Sequence, residues 1–239
     1  MSEFRRKLMS INTSSVKPAS SYIQQDLIFQ LDGLEKGNNA GKWTDLINGY
    51  VFQGNATELE NGWDFNGAHK LECVGVLGIS QLTENFTWTV ELAFHLKNPS
   101  RWGMLFSTNW HYGSGRSKNI CTKYSATNSW VCLDCGTSSK HDRIDLNGYS
   151  VNKNSDITWS TFCNGTTSVL NCNLTQYNFK NGNTLGANDR LIIGNRETSA
   201  NGDAYAIIYA IRVYNRQLTT SEMQYNQRLD IERFNLNIS

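Results

Sequence analysis

The stretch Phe86-Thr-Trp-Thr-Val-Glu-Leu-Ala-Phe-His-Leu96 decides the fold class. Phe86, Trp88, Val90, Leu92, Phe94 and Leu96 fall on one face of an extended chain. Thr87, Thr89, Glu91, Ala93 and His95 fall on the other. Six large apolar side chains in strict alternation have the period of a half-buried antiparallel strand, not of a helix. A second run, 204–214, sets Tyr205, Ile207, Tyr209, Ile211 and Val213 against Ala204, Ala206, Ile208, Ala210, Arg212 and Tyr214. Ala206 and Ala210 leave room on their face for another layer.

Outward from these two strands the chain reads as shorter pieces of the same kind. Leu27, Phe29 and Leu31 alternate until Gly33 and the polar run 36–42 interrupt them. Trp63-Asp-Phe65 leads into Asn66-Gly67, a two-residue hairpin signal because both residues tolerate positive φ. Residues 157–172 read as a hairpin turning at Asn164-Gly165. That register sets Cys163 opposite Thr166 and Cys172 opposite Ile157, which disfavours a Cys163–Cys172 disulfide. Leu191-Ile-Ile-Gly194 is a further short strand. One helix is signalled: Thr219-Thr-Ser-Glu222 is a capping box, followed by Met223, with Tyr225 and Leu229 four apart on one face. It is expected from about 220 to 231.

Composition agrees. The chain has 239 residues, 39% hydrophobic and 11% aromatic, with only two Pro but 19 Gly, 28 Asn and 19 Thr. Gly and Asn supply turns, while Thr and aromatics suit strands. With 22 Lys+Arg against 21 Asp+Glu, the net charge of +1 argues against a nucleic-acid binder. No run approaches the roughly 18 apolar residues of a membrane span. The opening, Met1 to Ser10, has a basic cluster at Arg5, Arg6 and Lys7 but no apolar run after it, so it is not read as a secretory signal. Synthesis in a cytoplasm is expected, and six Cys do not then imply disulfides. Residues 1–24 read as an arm that orders on a partner, with a frayed terminus as the alternative. Residues 25–239 read as a single domain.

The order of signals resembles the laminin-G-like branch of the concanavalin A-like lectin/glucanase jelly rolls. The stretches that carry the resemblance are Arg190-Leu-Ile-Ile-Gly-Asn195, Ala206 through Ile211-Arg-Val-Tyr-Asn-Arg-Gln-Leu-Thr219, Ser221-Glu222, Leu27 to Gly33, Trp43-Thr-Asp-Leu46 and Trp63-Asp-Phe-Asn-Gly67. Together they span about residues 26–234. The resemblance implies an all-β, two-sheet antiparallel jelly-roll sandwich with a short C-terminal helix. The basic start Glu3-Phe-Arg-Arg-Lys-Leu8 and the tail Tyr225 to Phe234 resemble proteins encoded by phages and prophages of gut bacteria. That second resemblance implies a non-enzymatic virion protein (a capsid decoration, head fibre or tail module) made in a bacterial cytoplasm and carried on the particle surface. Its expected partners are other virion proteins, through the arm, further copies of itself in the assembly, and host-surface glycan. The alternatives are a bacterial surface carbohydrate-binding module and a glycoside hydrolase.

Candidate chemistry is sparse. Glucanases of this superfamily carry several acids on one strand, and a retaining pair sits about 5–5.5 Å apart. Here the strand 86–96 holds one acid, Glu91, while Glu58-Leu-Glu60 and Asp230-Ile-Glu232 lie elsewhere. No catalytic residue is assigned. Trp110-His111-Tyr112 ahead of Gly113-Ser-Gly115, with Arg116 following, breaks strand alternation and reads as a loop binding a glycan or a neighbouring subunit. Cys121, Cys132, Cys135 and His141 could hold zinc, the alternatives being a local disulfide and reduced Cys in strands and loops. Family members often hold calcium through Asp. Asp32 and Asp203 are the candidates here, with Asp45 and Asp64 as further contributors, and turn-stabilising Asp is the alternative. No cofactor is required by this reading.

Overall fold

The computed structural model describes residues 17–37, 40–67, 69–73, 88–97, 103–108, 117–124, 129–137, 140–144, 154–163, 168–179, 191–195 and 204–238. The strands among them are β1 (Leu27–Asp32), β2 (Lys42–Thr44), β3 (Val51–Gly54), β4 (Thr57–Glu58), β5 (Trp63–Asn66), β6 (Leu71–Cys73), β7 (Trp88–Leu96), β8 (Gly103–Thr108), β9 (Ser117–Tyr124), β10 (Ser129–Thr137), β11 (Lys140–Ile144), β12 (Ser155–Cys163), β13 (Ser168–Cys172), β14 (Thr175–Phe179), β15 (Leu191–Ile193) and β16 (Tyr205–Tyr214). Helix α1 (Thr220–Phe234) follows.

The strands form two antiparallel sheets, so the chain is an all-β sandwich with one short C-terminal helix, as the alternation implied. The first sheet runs β14-β13-β12-β7-β16-β5-β4, with β1 also paired to β16. The second runs β11-β10-β9-β8-β15-β6-β3-β2. Trp88, Val90, Leu92, Phe94 and Leu96 of β7 all enter the core between the sheets. Two aromatic pairs cross that core. Phe29 meets Phe52 edge to face at 5.7 Å, and Trp43 stacks on Trp63 at 6.2 Å. Gly194 explains part of its motif: its φ is +83°, and any side chain there would collide with the Phe65 ring. Among the described residues no helix is long and apolar enough to cross a membrane.

Several expectations need correction. Strand β7 is buried on both faces: Thr89, Glu91 and Ala93 are as inaccessible as the apolar set. Helix α1 covers that second face, which the alternating pattern had assigned to solvent. In β16 a bulge between Ile208 and Ala210 inserts Tyr209 as an extra residue. It flips the alternation, so Ala206 and Ile208 share the core with Ile211 and Val213 rather than opposing them. Asn66-Gly67 is not a hairpin turn. β5 belongs to the first sheet and β6 to the second, so Gly67, at φ +76°, starts a crossover. In the β12–β13 hairpin Cys163 pairs with Ser168 and Cys172 with Trp159, because the connection takes four residues, 164–167, rather than two. The slip is an even one, so each residue keeps its face.

Helix α1 starts as expected. The Thr219 hydroxyl accepts from the Glu222 N–H at 3.2 Å, and the Glu222 carboxylate accepts from the Thr219 N–H at 2.8 Å. It runs on to Phe234 and ends on Asn235 in the left-handed region, φ 52°. Leu229 is buried, but Tyr225 is exposed, so the two do not share the docked face. Residues 17–24, assigned to the arm, include packed positions. Ala19 and Tyr22 are buried, and the Tyr22 hydroxyl donates to Asp230 of α1 at 2.8 Å.

Candidate functional site

The loop carrying Trp110, His111, Tyr112 and Arg116 joins β8 to β9, and its residues 109–116 lie outside the described set. Its root is described. Thr108 closes β8 beside Leu191 of β15, and Ser117 opens β9 opposite Gly136 of β10. The loop therefore leaves the second sheet between β8 and β9, at the end where the 138–139 connection between β10 and β11 also lies.

The zinc candidates fall on three consecutive strands of the same sheet. Cys121 in β9 pairs with Cys132 in β10. Cys135 pairs with Lys118 on one side and Asp142 on the other, and His141 in β11 pairs with Gly136. Their backbone register is described; their side chains are outside the described set. Asp203 is outside it as well.

Asp32 and Asp45 act as turn-stabilising acceptors. Asp32 is fully buried and accepts from the N–H groups of Leu34 and Glu35 and from Arg233 at 2.8 Å. Burial pushes its carboxyl above the ordinary range, against the pull of Arg233. Asp45 accepts from the N–H groups of Gln30, Ile47 and Asn48, tying the 45–50 turn of one sheet edge to β1 of the other sheet. Asp64 pairs with Lys97. Among the described residues no cluster of three or more His, Cys, Asp or Glu is arranged to hold a metal ion.

The structure assembles one constellation that the sequence reading missed. Arg212 of β16 faces α1 and makes a two-pronged pair with Asp230, Nη1 to Oδ1 at 2.8 Å and Nη2 to Oδ2 at 2.6 Å. Its Nε donates to Glu91 at 2.9 Å. Glu91 also accepts from Ser160 and Asn226, and Asn226 reaches the Tyr214 hydroxyl as well. The Tyr22 ring stacks on the guanidinium 3.9 Å away. The Glu91, Arg212 and Asp230 side chains are at most 1% exposed. Burial raises the Glu91 carboxyl, while Arg212 opposes the shift. This is a dry internal clamp: each charge is paired and hydrogen-bonded, as burial requires. Two signals were available. Glu91 is the only acid in strand 86–96 and Arg212 the only charged residue in strand 204–214, and Asn226, Asp230 and Arg233 recur at helical spacing.

No family model matches the sequence, and no curated protein matches it. Solved structures do share the fold. Domain 4 of a GH43 extracellular arabinanase from Geobacillus stearothermophilus, in complex with arabinotriose, aligns at TM-score 0.61 and 11% identity, over 84% of this chain and 97% of that one. Trypanosoma rangeli sialidase in complex with sialic acid aligns at 0.62 and 15% identity, over 90% of this chain and 33% of that one. The binding domain of botulinum neurotoxin serotype D aligns at 0.63 and 11%, over 86% and 51%. The chain thus spans about a third of the sialidase it resembles. At these identities the likeness establishes a shared β-sandwich and nothing about chemistry.

Proposed function

We propose that this chain is a non-enzymatic carbohydrate-binding sandwich of the laminin-G-like kind, serving in a phage particle as a capsid decoration, head fibre or tail module. One observation carries the carbohydrate part. Over 84% of its length the chain matches the fold of nearly the whole of a domain whose structure was solved with arabinotriose. The absence of enzyme activity is inferred from the acids. Most glycoside hydrolases set two carboxylates across the scissile bond, whereas strand 86–96 holds one acid, Glu91, which is buried on Arg212 together with Asp230.

The virion setting rests on sequence resemblance at Glu3–Leu8 and in the tail. The arm of residues 1–24 would join other virion proteins, the 110–116 loop would meet glycan or a neighbouring copy, and the particle surface would be the place of action.

Two measurements test this. A glycan array of the purified chain is expected to give saturable binding to a subset of oligosaccharides without hydrolysis of any. Proteomics of purified phage particles is expected to find the chain in stoichiometric amount. Released sugar would overturn the non-enzymatic reading. Recovery from bacterial envelopes but not from particles would favour the surface-module alternative.

A further inference from the structure

The outer face of the first sheet is only partly roofed. Helix α1 and residues 17–24 cover its middle, where Glu91, Ala93, Ala210 and Arg212 are buried. Toward the other end of β7 the register aligns Asp156, His95, Ile207 and Asp64 across four strands, and here the surface opens. The side chains of His95, Lys97 and Asp64 are 27%, 25% and 26% exposed.

His95 is held in one orientation. Its Nδ1 lies 2.9 Å from Asp156 Oδ1, while Asp156 Oδ2 accepts from the Asn237 N–H at 2.8 Å. The Tyr209 hydroxyl also bonds Asp156, and burial together with that carboxylate pushes the phenol above its ordinary range. A carboxylate can only accept, so Nδ1 carries the proton and a neutral ring keeps its lone pair on Nε2. Among the described residues Nε2 has no partner. Beside it Lys97 is engaged by Asp64. Tyr205 follows on the same face, next to Lys97, whose N–H donates to the Tyr205 carbonyl. Its ring is seated against Gly67, where any side chain would collide with it. The Tyr205 hydroxyl makes no hydrogen bond with the described residues.

We propose that this row, His95, Ile207, Tyr205 and the Lys97–Asp64 pair, is a saccharide contact surface on the outer face of the first sheet. The free groups are mainly acceptors, namely Nε2 and the second Asp64 oxygen, joined by a phenol that can donate or accept. Ile207 and the Tyr205 ring supply apolar flanks. The local cation is already paired, so nothing here favours an anion. The complementary ligand is neutral, rich in hydroxyl donors and carries C–H faces: a neutral oligosaccharide. The inference rests on the carbohydrate-binding reading above but places contacts away from the 110–116 loop.

The experiment uses the full chain, with arabinotriose and a panel of neutral oligosaccharides as probes. The wild type, His95→Ala, Tyr205→Phe and Trp110→Ala/Tyr112→Ala are titrated calorimetrically. Loss of one contact at a real hot spot is expected to weaken binding about tenfold. Long-range ¹H–¹⁵N spectra of the wild-type imidazoles report on His95 without any substitution, and ligand should shift Nε2. Binding by the wild type that His95→Ala and Tyr205→Phe leave within about twofold, with Nε2 unmoved, overturns this surface and leaves carbohydrate binding standing. No binding by the wild type to any probe or array glycan overturns both.

Discussion

Arg212 and Asp230 meet through two parallel hydrogen bonds, 2.8 and 2.6 Å, in a space sealed from solvent, and this pair joins the last helix to the sheet. The helix is docked by a charged clamp as well as by apolar burial through Met223 and Phe234. Under it lie Glu91, Ser160 and Arg212, with Ala93 and Ala210 beside them.

Asp230→Ala should therefore be among the most damaging single changes. It leaves a buried guanidinium with only Glu91 for charge, and breaking one side of a buried pair costs about 3–5 kcal/mol. Urea unfolding of both proteins measures it. Glu232→Ala, two residues on, removes only an exposed contact to Lys17 and should leave the midpoint unchanged. Equal midpoints for the two variants would refute the clamp.

Phe94→Ala should cost about 3–5 kcal/mol as a core cavity. Phe94 is wholly buried and enters the core from the centre of the first sheet. A loss below about 1 kcal/mol in the same unfolding assay would mean that the site collapses around the deletion.

The arm can be divided by truncation. Removing residues 1–16 should leave the melting temperature nearly unchanged but abolish incorporation into particles. Removing 1–24 should lower it by several degrees, because Ala19 and Tyr22 are buried and Tyr22 covers both Arg212 and Asp230. Calorimetry on the two truncations distinguishes tether from packed segment.

Acid should act oppositely on two sets of carboxylates. The Arg216 side chain, with help from the Thr219 cap, holds Glu222 down at about 2, from an ordinary 4.5. Its contribution is fully present above pH 4.5 and is lost as pH falls toward 2. Glu91 and Asp32 are raised by burial, so the folded state holds their protons more tightly than the unfolded chain does. Their protonation favours folding as pH falls, and that gain is lost as pH rises through their folded values. Glu222→Gln should accordingly flatten the stability loss between pH 4.5 and 2 in an unfolding series. An unchanged slope would show that Arg216 does not hold Glu222 in solution.

Trp110→Ala with Tyr112→Ala should weaken glycan or subunit binding by about 1–3 kcal/mol without unfolding the domain. Glycan arrays and particle-assembly assays check the two forms separately. Unfolding, or no change in either assay, would make these rings core or bystanders.

By itself the sequence determined the β class, the strands β7 and β16 and the helix start. Each depends on neighbours within a few residues: a period of two through Trp88–Leu96, and a hydroxyl and a carboxylate three apart at Thr219 and Glu222. What lies over a strand is a different matter. Thr89 and Glu91 read as solvent-facing because alternation reports polarity and says nothing of cover. Only the return of the chain through α1 and residues 17–24 makes them interior. The same limit explains Asn66-Gly67, a turn signal that marks a reversal without saying which sheet receives the next strand, and the Tyr209 bulge, which is visible only against β7. It also explains the outer-face row. Asp64, His95, Asp156 and Ile207 span 144 positions of sequence and become neighbours only because β5, β16, β7 and β12 pair side by side. Strand pairing is a long-range choice made by the whole core, and no local pattern encodes it.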